Sequence, residues 1–139
     1  AASFNSPAGI TTDGSSLYVA DAGNNRIRTI AIATGAVTTI AGSGLGYYAD
    51  GTGTAASFCE PQGITTDGTN LYVADRGNNM IRKIVISSTV VTTLAGQTSP
   101  GHADLIGTAA MFHYPIGIVT DGSSLYVADS GNNAIRVIK

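Results

Sequence analysis

The sequence is poor in charge, cysteine and histidine. Only 12% of its 139 residues are charged, and the net charge is −2. Seven Lys and Arg, scattered along the chain, make no basic stripe able to neutralise phosphates, which excludes a nucleic-acid binder. Cys59 is the single cysteine, so an intrachain disulfide is excluded. No apolar run approaches the roughly 20 residues of a membrane helix, and no partnership with a membrane is expected. Gly-x-Ser-x-Gly, a phosphate loop and Cys-x-x-Cys are all missing, so the usual nucleophile and redox signatures do not apply. With few charges, Thr, Ser and Gly are abundant, a balance of many secreted bacterial β-proteins; an extracellular or periplasmic location is the expectation.

What is there is a repeat. Ala1-Ala2-Ser3-Phe4 returns as Ala55-Ala56-Ser57-Phe58 and as Ala109-Ala110-Met111-Phe112, a step of 54 residues both times. Between the first two copies, 22 of the first 30 positions are identical, but only 10 of the other 24. The unit therefore has a constant front and a variable back. The units are 1–54, 55–108 and 109–139, the last without its back.

Each unit reads as short strands punctuated by turn residues. In the second, "GITTDG" (63–68) gives strand a, closed by Asp-Gly, and "NLYVAD" (70–75) gives strand b. "MIRKIVI" (80–86) and "VVTTLAG" (90–96) give strands c and d. Apolar residues on both faces of strand b imply a small sheet covered on both sides. Four-stranded antiparallel sheets stacked by tandem repetition are the blades of a β-propeller. The predicted fold is all-β: three four-stranded blades, the third incomplete.

The stretch 6–30, "SPAGITTDGSSLYVADAGNNRIRTI", resembles the NHL repeat, with its Pro-x-Gly-Ile-x-x-Asp followed by Tyr-Val-Ala-Asp-x-Gly-Asn-x-x-Ile. The resemblance recurs three times and implies a propeller, most often six-bladed, that serves mainly as a binding scaffold. Family members include interaction domains, sensor domains and a metal-dependent lyase, so the fold leaves function open. Three units cannot close a ring of about four to eight blades. A homodimer or other homo-oligomer completing one propeller, or else a place in a longer array, is expected, because open blade faces and a bare edge on the last strand c invite a further chain.

Candidate sites divide into repeated and variable residues. Asp21, Asp75 and Asp129 each open an Asp-x-Gly-Asn-Asn turn between strands b and c. One carboxylate per turn is too few for calcium, whereas Asp accepting backbone N–H bonds, with Asn and Gly at positive φ, makes a turn. Arg28, Arg82 and Arg136 repeat in strand c and are expected to pair with a repeated aspartate or with carbonyls between blades. Variability points elsewhere. The loops 43–48 ("SGLGYY") and 97–102 ("QTSPGH") differ at every position, and Asn5-Ser6, Cys59-Glu60 and His113-Tyr114 differ just before strand a. Tyr47, Tyr48, Glu60, His102, His113 and Tyr114 are therefore the rim candidates for a protein, peptide or glycan. Cys59 with His113 could hold zinc, but the further ligands such a site needs are lacking, so no metal, cofactor or catalytic residue is assigned. The expected function is a non-enzymatic, self-associating scaffold. The alternatives are a fragment of a lyase- or lactonase-type propeller enzyme and an excised or engineered propeller piece with no evolved ligand.

Overall fold

A computed structural model describes residues 2–139. It contains twelve strands in three antiparallel sheets and, among the described residues, no α-helix. Blade 1 holds β1 (Pro7–Thr12), β2 (Ser16–Asp21), β3 (Arg26–Ala31) and β4 (Val37–Ala41), paired in chain order. Blade 2 is built from β5 (Gly51–Thr52), β6 (Pro61–Thr66), β7 (Asn70–Asp75), β8 (Met80–Val85) and β9 (Val90–Gly96). Blade 3 holds β10 (Pro115–Thr120), β11 (Leu125–Asp129) and β12 (Ala134–Ile138).

The four expected strands of blade 2 are present as β6, β7, β8 and β9, and a short fifth joins them. The order in the sheet is β5-β9-β8-β7-β6, so a piece of the first repeat adds a fifth strand to the outer edge of the second sheet. Gly51 and Thr52 pair with Val91 and Val90. The physical reason is the path of the linker, which must pass the outer edge of blade 2 on its way back to the innermost strand.

The a–b turns explain the repeated Asp-Gly. Asp67 accepts the N–H groups of Thr69 and Asn70 at 2.8 and 2.7 Å, and the Tyr72 hydroxyl donates to it at 2.8 Å. Asp13 with Tyr18 and Asp121 with Tyr126 repeat this latch at 2.7 and 2.8 Å. The strand-b tyrosine thus packs with its ring and locks the turn with its hydroxyl.

The core lies between blades rather than within one. Tyr18, Ala20 and Ile27 on one face of blade 1 meet Phe58, Ile64, Leu71, Val73 and Ile84 of blade 2. Ala74, Ile81 and Ala95 on the opposite face of blade 2 meet Phe112, Ile118, Leu125 and Val127 of blade 3. Alanine on one side makes room for large residues on the other. The innermost strands β1, β6 and β10 lie side by side. A Cβ placed on Gly9 would come within 2.3 Å of the Gln62 carbonyl oxygen of blade 2, and one on Gly63 within 2.3 Å of the Ile116 carbonyl oxygen of blade 3. Only glycine permits that approach.

Candidate functional site

Each blade centres on a buried carboxylate. Asp75 Oδ1 accepts the Cys59 N–H at 2.8 Å, and its Oδ2 accepts from Asn78 Nδ2 and Arg82 Nη1, both at 2.8 Å. Asp21 repeats the set with Asn5, Asn24 and Arg28, and Asp129 repeats it with His113, Asn132 and Arg136. All three carboxylates are buried. Arg82 also donates to the Ser57 and Ala49 carbonyls and to Asp50, at 2.9, 2.8 and 2.8 Å. The repeated Phe lies beneath it: the guanidinium carbon is 5.0 Å from the Phe58 ring centre, with 5.3 and 4.8 Å for Arg28 over Phe4 and Arg136 over Phe112. The three carboxylates are partnered by the chain itself, whereas Nε of Arg28 and Nε of Arg82 are buried without a hydrogen-bond partner among the described residues.

The turn residues split their tasks. Asn25, Asn79 and Asn133 take the left-handed conformation, with φ of 53, 56 and 52°. Gly23, Gly77 and Gly131 do not; they admit the residue before strand a, and a Cβ on Gly77 would lie 2.4 Å from Cys59 Sγ. The Asn side chain then reaches the next blade. Asn25 Oδ1 accepts the Glu60 N–H at 2.8 Å, and Asn79 Oδ1 accepts the Tyr114 N–H at 3.0 Å. Glu60 and Tyr114 are themselves left-handed, with φ of 49 and 53°, each directly before a proline. The Asn bond helps hold this unfavourable backbone in place.

Of the rim candidates, Glu60, His113 and Tyr114 come together at the junction of blades 2 and 3. Arg76 joins them: it pairs with Glu60 and stands 4.6 Å from the Tyr114 ring centre, while the His113 and Tyr114 ring centres are 4.6 Å apart. Sequence reasoning missed Arg76. The signal was its place in the otherwise constant turn, where the other blades carry Ala22 and Ser130. Tyr48 lies elsewhere, its ring centre 5.0 Å from the Arg82 guanidinium and its hydroxyl 3.4 Å from Asp50. Tyr47 and His102 are exposed on the linkers.

Cys59 and His113 each sit on the turn of their own blade, where their carbonyls accept the N–H of Gly77 and Gly131 at 2.8 and 2.7 Å. Burial above all, then the charges of Asp75 and Glu60, pushes the Cys59 thiol up, which keeps it protonated and a poor metal ligand. Among the described residues no group of three or more His, Cys, Asp and Glu side chains gathers as a metal site.

The chain matches no family model. It is similar to NHL repeat-containing protein 2 of Bos taurus, 34% identical over 155 aligned positions that take in 99% of this chain and 21% of that protein. The repeats are NHL-type β-propeller repeats. Two solved structures from Bacteroides thetaiotaomicron share their fold. One is a protein of unknown function, with TM-score 0.78 and 29% identity, covering 88% of this chain and 32% of that one. The other is an auxiliary nutrient binding protein, with TM-score 0.78 and 25% identity, covering 94% of this chain and 36% of that one. The NHL-type chain thus spans about a fifth of the curated relative and about a third of each solved structure. Among the described residues no helix is long and apolar enough to cross a membrane.

Proposed function

We propose that the chain is a non-enzymatic NHL-type scaffold that self-associates head to tail and presents its rim to a protein, peptide or glycan. One observation carries the self-association: the two end faces are the two halves of the interface that already joins the blades. Gly9 and Gly63 each receive a carbonyl from the next blade, whereas the equivalent Gly117 is exposed and a Cβ there would meet nothing closer than the Ala128 Cβ at 3.5 Å. Asn25 and Asn79 each bind the next blade, but among the described residues nothing faces the Asn133 amide. The complementary groups stand at the other end. The Ser6 N–H has no acceptor among the described residues, and the Ala8 carbonyl occupies the place of those of Gln62 and Ile116. Ile10 is 61% exposed where its equivalents Ile64 and Ile118 are 5 and 6% exposed. Tyr126, Ile135 and Val137 are exposed on the opposite end face.

Two copies related by a two-fold axis supply six blades and bury both faces. Size-exclusion chromatography with light scattering at micromolar concentration tests this. The expected mass is twice the 14.0 kDa of the monomer; a mass of 14.0 kDa alone would refute it.

The rim reading rests on Glu60, Arg76 and Tyr114, which combine an acid, a guanidinium and an aromatic face and so suit a polar peptide or glycan. An extracellular or periplasmic setting fits the nutrient-binding neighbour. Peptide and glycan arrays probed with the chain and with Arg76→Ala provide the check: spots that lose signal with the variant support rim binding, and spots equally bright for both speak against it.

A further inference from the structure

The residues that vary between repeats converge at one place inside the chain, the junction of blades 2 and 3. Glu60 pairs with Arg76, and Arg76 stands 4.6 Å from the Tyr114 ring centre. The Tyr114 and His113 ring centres are 4.6 Å apart, with the rings tilted by 36°. At the junction of blades 1 and 2 the equivalent residues are Ser6, Ala22, Cys59 and Glu60, which carry neither a guanidinium nor an aromatic ring.

The backbone beneath this cluster is the same in every blade. Ser6, Glu60 and Tyr114 are all left-handed directly before a proline, a conformation unfavourable for any residue but glycine. At the cluster it is held from outside. The Glu60 and Tyr114 N–H groups donate to Asn25 and Asn79 of the blade before, and the Tyr114 carbonyl accepts from the Ser130 hydroxyl at 2.6 Å. Each blade thus projects one residue from a fixed base, and only the side chain changes. Here the side chains keep polar atoms unused. Among the described residues Glu60 Oε1, Arg76 Nε and Nη2 and the Tyr114 hydroxyl have no hydrogen-bond partner. With Arg76 and His113 against it, Tyr114 is still 43% exposed.

We propose, building on the rim reading, that this junction binds a neutral sugar ring through two adjacent hydroxyls. The ligand chemistry follows from the ion pair. Glu60 only accepts and Arg76 only donates, side by side, and a vicinal diol answers with one hydroxyl that donates and a neighbour that accepts. The two charges already cancel, so an anion would be opposed by Glu60 and a cation by Arg76. Beside the pair, the exposed part of Tyr114 receives the apolar C–H face of the sugar. The free atoms all lie within one short chain of contacts, the span of a single ring rather than of an extended peptide.

The test is an array of neutral, sialylated and sulfated glycans printed beside peptides and probed with the intact chain. Neutral glycans with free adjacent hydroxyls should bind, and equally well at about 0.05 and 0.5 M salt, since no net charge is neutralised. Glu60→Ser and Arg76→Ala should each weaken this binding about tenfold, as loss of a charge-assisted hydrogen bond does. Both variants borrow the residues that blade 1 carries as Ser6 and Ala22, so both should fold, with urea midpoints near the parent's. Removing one of the two hydroxyls from a bound glycan should cost as much; equal binding of the deoxy glycan would overturn the proposal. Binding of sialylated or sulfated glycans alone, lost at the higher salt, would overturn it too. Peptides that lose signal with Arg76→Ala while no neutral glycan does would overturn the sugar and leave the rim reading standing. If no spot of any kind responds to Arg76→Ala, the sugar and the rim reading fall together.

Discussion

Arg82 and Arg28 sit in strands of nearly the same sequence, yet their surroundings differ. Arg82 is fully buried and has four acceptors, two of them, the Ala49 carbonyl and Asp50, supplied by the linker from blade 1. Arg28 has two, Asp21 and the Ser3 carbonyl, and remains partly open to water. A blade is therefore finished by the blade before it. What looks like a self-contained repeat in sequence is, in energy, half of two interfaces.

The largest expected effect separates these two arginines. Asp75→Asn should cost about 3–5 kcal/mol, because it removes the buried counter-ion of Arg82 and leaves only the partly exposed Asp50 to balance the charge. Asp21→Asn should cost about 1–3 kcal/mol, as water can reach Arg28. Urea unfolding of both variants measures the gap, and equal losses would remove the distinction.

The next effect separates inner from end glycines. Gly63→Ala should destabilise by about 1–3 kcal/mol, since the Ile116 carbonyl must move away. A smaller one concerns the Asn latches. Asn79→Gly keeps the left-handed backbone free of strain but loses the bond to Tyr114, for about 1 kcal/mol. Asn133→Gly should leave monomer unfolding unchanged, and denaturant midpoints compare the two.

The smallest effect is on pH. In the a–b turns burial raises the Asp67 carboxyl, but the hydrogen bonds from Asn70, Thr69 and Tyr72 outweigh it and bring it from 3.8 down to about 2. Asp13 and Asp121 are lowered as well, led by the Tyr18 hydroxyl and the Ser123 N–H respectively. A folded-state value below the unfolded one stabilises above the unfolded value and is lost as pH falls through the folded one. Melting temperature should therefore drop between about pH 4 and pH 2, and Asp67→Asn should flatten part of that fall. An unchanged slope in this variant would assign the acid sensitivity to other groups.

Much of the fold was legible because it repeats. The 54-residue step and the strands of residues 70–75 and 90–96 follow from composition and punctuation alone. The fifth strand of blade 2 was not legible, since Gly51-Thr52 is only two residues long, one of them glycine, and pairs because the linker runs along β9. The aspartate and arginine partners were both named from their recurrence. The acceptors from the preceding repeat were not, because recurrence in sequence says nothing about which blade a side chain leaves and which it enters. At the rim, Glu60, His113 and Tyr114 stood out by varying. Arg76 was hidden inside a turn whose other residues do not vary.

If the chain self-associates as proposed, its two end faces meet as the blades within it do. Sedimentation equilibrium of the chain and of Gly117→Ala is the test, because the added methyl has room in its own blade but would meet a carbonyl if a second copy docked as the next blade does at Gly9 and Gly63. The parent chain is expected at twice 14.0 kDa and the variant, equally folded by circular dichroism, at 14.0 kDa. A variant that associates as tightly as its parent would contradict that proposal.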